Sequence, residues 1–202
     1  MKRIVAVGLA ILLMIGTGCT AFAAVDLSVF ENAEGVKYTY DDMDDTYVLE
    51  SEVELVDLLV DFSGVFFIDV KGGESVCTLR LMMLAVKPGG KKIGFNGVIV
   101  KTDAKKYSFD ISDAADVSTS TAGIETGAYI LGLTGIQMLK DILDSTGDVK
   151  IRFEGENENI DFIMSDAQKS VIDKILTLYI ESGAPDQEIL PSLETVYPIT
   201  VK

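Results

Sequence analysis

The residues of this chain that could do chemistry are carboxylates and cysteines, because the sequence holds no histidine and no tryptophan. Without an imidazole, Ser-His-Asp and Cys-His catalysis, His-ligated zinc and most proton relays near neutral pH fall away. Without Trp, stacking against flat sugar faces is left to Tyr. There is no G-x-S-x-G elbow, no phosphate loop of the GKS/T type and no C-x-x-C pair.

Three groups remain. Cys77, Thr78 and Arg80 are spaced in a way that resembles the cysteine–arginine pairing of sortases, but those enzymes also need a histidine. Cys77 shares register with Leu79, Leu81 and Met83, which predicts a buried, inert thiol on an apolar strand face. Asp41, Asp42, Asp44 and Asp45 could gather calcium through carboxylate oxygens. Counted from Asp42, however, the glycine position of an EF-hand loop holds Tyr47 and the twelfth position holds Val53. A solvated acidic turn is the expectation. Glu154, Glu156 and Glu158 read as a solvent-facing hairpin tip. Paired carboxylates could hydrolyse a glycoside, but nothing in the spacing singles out a pair. Lys150, Arg152 and Asp161 are expected to pair across that hairpin, a surface contact worth up to about 1 kcal/mol.

The chain that must position these groups opens with an export pattern. Lys2 and Arg3 precede an apolar run over 4–15 interrupted only by Gly8, and Ala21-Phe22-Ala23 gives the small-x-small site cleaved before Ala24. The run is too short to span a bilayer, which needs about 20 apolar residues. Residues 1–23 are therefore expected to be a signal peptide and the mature protein extracytoplasmic. Cys19 offers an alternative, lipidation, but the lipobox aliphatic is replaced by Gly16, so cleavage after Ala23 is preferred. A lipid anchor at Cys19 would be the protein's one route to a membrane.

Residues 24–202 make one domain, with a proline-containing tail from about 184. The chain holds 17 basic and 32 acidic residues, a net charge of −15, and removing Lys2 and Arg3 takes it to −17. This balance argues against nucleic acid or an anionic membrane as partner, since phosphate contacts need clustered cations. With Cys19 gone, Cys77 is alone and no internal disulfide can form.

Period-two alternation predicts strands at 36–40, 47–49, 65–70, 76–86, 93–100 and 106–111, with short turns that imply antiparallel neighbours. Residues 52–62 fit a strand or a helix equally. Residues 112–127, rich in Ser, Thr, Ala and Gly, read as a binding or mobile loop or, in part, an edge strand. Thr134-Gly135-Ile136-Gln137 and Ser165-Asp166-Ala167-Gln168 both have capping-box spacing, and each opens an apolar stripe at helical period. Between these helices 149–153 and 160–164 alternate as a hairpin, and a short strand is expected within 195–201. The expected fold is α+β: mainly antiparallel sheet, a sandwich or curled sheet, with two helices of the C-terminal half packed on it.

The run Asp148-Val-Lys-Ile-Arg-Phe-Glu-Gly155, then Asp161-Phe-Ile-Met-Ser165, then 169–179, resembles an uncharacterised domain family of exported bacterial proteins and lipoproteins, over roughly residues 76–181. That family often carries W-x-F before its central strand, where Lys92-Ile93-Gly94-Phe95 here lacks the Trp. The resemblance implies a fold and a location. It assigns no activity, cofactor or site residue.

No residue is thus assigned as catalytic, cofactor-binding or metal-binding. The expectation is a non-enzymatic extracytoplasmic binding or envelope-associated module, engaging a protein or small ligand through a sheet face or the 112–127 segment. The alternatives are a carboxylate-based, glycosidase-like hydrolase and a calcium-dependent adhesion module built on the Asp41–Asp45 turn.

Overall fold

The structure is a computed structural model that describes residues 24–43, 46–60, 64–73, 75–87, 91–111, 118–119, 123–187 and 189–202. The expected signal peptide, residues 1–23, and the turn residues Asp44 and Asp45 lie outside the described residues. Among the described residues, no helix is long and apolar enough to cross a membrane.

Among the described residues, eleven strands form two antiparallel sheets. Sheet one holds β1 (Val36–Asp41), β2 (Thr46–Ser51), β3 (Gly64–Gly72), β4 (Cys77–Val86), β7 (Ser118–Thr119) and β8 (Ile124–Ile130) in the order β1-β2-β3-β4-β8-β7. Sheet two holds β5 (Phe95–Lys101), β6 (Lys106–Asp110), β9 (Lys150–Gly155), β10 (Ile160–Ile163) and β11 (Thr200–Val201) in the order β10-β9-β5-β6-β11. Short helices α1 (Ser28–Glu31) and α2 (Leu55–Leu58) precede the long α3 (Leu133–Asp144) and α4 (Asp166–Glu181), and α5 (Leu190–Val196) follows. The expected α+β class with mainly antiparallel sheet is what the chain adopts.

Alternation drives this arrangement. In β4 every second side chain from Cys77 to Ala85 is buried, while Thr78, Arg80, Met82 and Leu84 are half-buried on the other face. In β9 Ile151 and Phe153 point inward and Lys150 and Arg152 outward. The inner faces of the two sheets meet where Phe109 packs on Tyr129 with ring centroids 4.7 Å apart. Gly127 sits there as well, and a Cβ on it would lie 3.3 Å from the ring of Phe95. The small residue lets the sheets close.

Helix α4 lies along β3. Gln168 at its start donates from Nε2 to the Leu58 carbonyl (2.7 Å) and the Gly64 carbonyl (3.4 Å), and Tyr179 near its end donates to the Cys77 carbonyl (3.3 Å). Between them Val171, Ile172, Ile175 and Leu176 are buried, each contributing about 1.5–3 kcal/mol by leaving water.

Several local expectations change. The 112–127 segment ends in strand: Ile124–Gly127 belong to β8, which runs on through Ile130 and pairs along its full length with Arg80–Val86 of β4. Ser118–Thr119 pair with β8 as the edge strand β7, as the edge-strand alternative expected. Residues 112–117 and 120–122 lie outside the described residues. Thr134 lies within α3 and caps nothing. The Thr134 N–H is instead taken by Glu194 Oε1 at 2.5 Å, from α5. Ser165 does cap α4, accepting from the Gln168 N–H at 3.2 Å, but the Gln168 amide reaches away to the Leu58 carbonyl of α2 and the Gly64 carbonyl of β3 rather than back to the cap. The tail holds α5, with Pro191 in its first turn, where a missing N–H costs nothing.

Candidate functional site

The outward face of sheet two is sharply charged, because strand pairing sorts its lysines and its acids into separate rows. Strand pairing arranges its side chains in three rows that cross the strands. In the first, Lys150 stands opposite Lys101, Lys101 opposite Lys106, and the backbones of Lys106 and Lys202 exchange both hydrogen bonds at 2.9 Å. All four lysines are exposed. In the second row, Asp161, Arg152, Ile99, Ser108 and Thr200 lie side by side. In the third, Glu154, Gly97 and Asp110 are paired.

The third row opens into a groove of about 610 Å³ lined by Asn96, Ser108, Asp110, Glu154, Glu156 and Thr200 among others. It is shaped by irregular backbone. A bulge in β5 between Phe95 and Gly97 displaces Asn96 from the ladder. A Cβ at Gly97 would lie 3.2 Å from the Glu154 carboxylate, so that side chain lies across bare backbone. Glu154 and Glu156, expected at a solvated hairpin tip, therefore border this groove. Glu158 leaves it and pairs with Lys87.

The cross-hairpin pairing forms in part. Arg152 donates through Nε and Nη2 to both Asp161 oxygens at 2.6 and 2.7 Å, and the guanidinium holds the Asp161 carboxyl below its ordinary value. Lys150 takes no share in it; it stands opposite Ile163.

Other polar groups are consumed by structure. Glu125 is buried and accepts backbone N–H groups from Ile93, Gly94 and Phe95. Asp69 is buried against Arg80 across β3 and β4. Asp141 accepts from Tyr107, Lys105 and Gln137. Burial alone would raise its carboxyl, but these donors together outweigh burial and hold it below the usual range. Asp103 takes the N–H groups of Thr146 and Gly147 at 2.9 and 3.0 Å. Neither Glu125 nor Glu194 carries a local sequence signal, since each acts on backbone at least 30 residues away.

Cys77 is 1% exposed, and burial pushes its thiol up to about 12. Gln187 brackets its backbone, accepting from the Cys77 N–H at 2.8 Å and donating to its carbonyl at 2.9 Å. Arg80, three residues on, points to the opposite face and pairs with Asp69, so no cysteine–arginine pair exists. A thiol this buried should react with an aromatic disulfide reagent only on unfolding. Labelling of the native protein at the rate of free cysteine would contradict that. In the acidic turn, Asp41 accepts the Met43 N–H at 3.1 Å, an ordinary turn contact. Among the described residues, no three acidic or cysteine side chains gather as a metal site.

Comparisons of the chain with protein-family models, with curated proteins and with solved structures find no match. Function must be read from these surfaces.

Proposed function

We propose that the protein is a non-enzymatic binding module that works outside the cytoplasm, in association with the cell envelope, and that its working surface is the outward face of sheet two. Extracytoplasmic placement rests on the Lys2–Ala23 export pattern and on the resemblance to exported domains. One observation carries the binding reading. The groove on this face is wide, open and polar, whereas the carboxylates with restricted solvent access, Asp69 and Glu125, are already bound to structural partners. An open polar groove offers weak desolvation, and desolvation is what a carboxyl needs in order to be tuned as a catalytic acid.

A second reading has one specific observation in its favour. Asp110, Glu154 and Glu156 border a single groove, which is where a carboxylate-based hydrolase would hold its pair. Incubating the purified protein with panels of glycans and esters separates the two readings. Flat progress curves are expected throughout. Hydrolysis that disappears in Asp110→Asn or Glu154→Gln would overturn the binding reading and establish the hydrolase.

A further inference from the structure

We propose that the row Lys150–Lys101–Lys106, extended by Lys202, binds a linear anionic glycan laid across the strands of sheet two. The inference rests on the binding reading above and names its ligand class.

The row is costly as it stands. Like charges directly opposite one another destabilise a sheet, and here three such lysines occupy three adjacent strands. The chain has almost twice as many acids as bases, so neutralising partners are plentiful. Four cations use them: Arg80 with Asp69, Lys87 with Glu158, Lys105 with Asp141 and Arg152 with Asp161. Lys101, Lys106 and Lys150 have no ion pair among the described residues. The two carboxylates beside the β5–β6 hairpin, Asp103 and Asp141, are turned to Thr146 and Gly147 and to Tyr107 and Lys105. A set of repelling cations kept apart from available acids is arranged for an anion supplied from outside.

The spacing suits a sugar chain. Adjacent strands lie about 4.8 Å apart, so the row presents one ammonium per strand over about 15 Å. A pyranose is of similar length, and a glycan with one acid group per sugar keeps pace with the strands. The next row offers hydroxyls, Ser108 and Thr200, on two neighbouring strands, within reach of sugar hydroxyls. Recognition here is ionic and needs no Trp platform.

Two other polyanions suit the face less well. A membrane would press the whole face, and the groove carboxylates Asp110, Glu154 and Glu156 would then meet anionic headgroups. Single-stranded nucleic acid gains much of its affinity from base stacking, and the three rows hold no aromatic side chain. The protein's net negative charge opposes long-range attraction. At physiological salt that field decays within about 8 Å, so a ligand touching the lysines is governed by the lysines.

The test is calorimetric titration of the purified protein with hexagalacturonate, which carries a carboxylate on every sugar, at several salt concentrations. Cellohexaose serves as the neutral control. Binding is expected for the anionic oligomer alone, with log K falling against log salt at a slope of about −2 to −3, as expected for three ionic contacts. The variant Lys101→Gln/Lys106→Gln/Lys150→Gln should bind at least tenfold more weakly. Lys37→Gln/Lys91→Gln/Lys140→Gln, which removes the same charge elsewhere, should bind as the parent does. Equal loss in both variants, no loss in either, or no binding at low salt would overturn the proposal while leaving the binding reading untouched. So would preferential binding of anionic lipid vesicles or a single-stranded oligonucleotide. Cleavage of the oligomer would overturn the binding reading instead.

Discussion

Glu125→Ala is expected to destabilise the fold by about 3–5 kcal/mol, because it strands three backbone donors at once. The Glu125 side chain is buried, with Oε2 2.6 Å from the Ile93 nitrogen and Oε1 3.1 Å from those of Gly94 and Phe95. Each buried N–H left without an acceptor costs about 1–3 kcal/mol, and bonds to a charged acceptor lie at the upper end. The loss is also architectural. Glu125 belongs to β8 of sheet one, while the three donors lead into β5 of sheet two, so one side chain fastens the sheets together. The bend it holds places Gly94 at φ +73°, where a side chain is strained, and the Ile93 and Gly94 carbonyls accept from Asn157 and Glu156. The Glu156 end of the groove therefore hangs on Glu125. Glu125→Gln keeps one acceptor oxygen and should cost about 1–2 kcal/mol. Urea unfolding of both variants measures this. A loss below 1 kcal/mol for Glu125→Ala would show that the bend stands by itself.

Arg80→Ala should cost about 3–4 kcal/mol at neutral pH and less in acid. Arg80 grips Asp69 through two hydrogen bonds of 2.8 and 2.5 Å, and the Asp69 side chain is only 3% exposed. Removing the cation leaves a buried carboxylate uncompensated, which is far more damaging than never having had the pair. Burial already pushes the Asp69 carboxyl above its ordinary value, against the pull of Arg80. Without Arg80 that value rises further. A folded-state pKa above the unfolded one of about 3.9 means stability is intact below the unfolded value and lost as pH rises through the folded value. The deficit of Arg80→Ala relative to the parent should therefore shrink between pH 7 and pH 4. The double change Asp69→Leu/Arg80→Met removes both charges and should recover most of the loss. A deficit independent of pH would mean that Arg80 matters for packing rather than for charge.

These two side chains mark where local sequence stops informing structure. The strands of sheet two were readable because their burial alternates: Tyr107 and Phe109 inward, Lys106, Ser108 and Asp110 outward. Helix α4 was readable from its stripe and from Ser165 at its cap. Strand β8 was not, because its inner face is Glu125, Gly127 and Tyr129. Gly127 is small because Phe95 and Ile111 press against it, and Glu125 is charged because it serves another strand's backbone. Both residues answer to partners distant in sequence, so neither leaves a periodic trace. The cap of α3 failed for the same reason, with Glu194 arriving from α5.

The candidate surface divides in the same way. The hairpin that joins β5 to β6 could be anticipated, and with it Lys101 beside Lys106. The position of Lys150 across from Lys101 requires the β5–β9 pairing, a contact between strands separated by β6, β7, β8 and α3 in the chain. Acidic residues read as a hairpin tip became a groove wall once the β5 bulge and Gly97 cleared space beside Glu154. In each case residue types were visible early and their meeting was not.

The central claim, that the outward face of sheet two is the working surface, is tested most directly by an amide NMR titration of the isotope-labelled protein with hexagalacturonate. Saturable shift changes centred on Lys101, Lys106, Ser108 and Lys150, fading with added salt, are the predicted result. Changes centred instead on the outer face of sheet one, around Phe67, Met82 and Ala128, would contradict the claim.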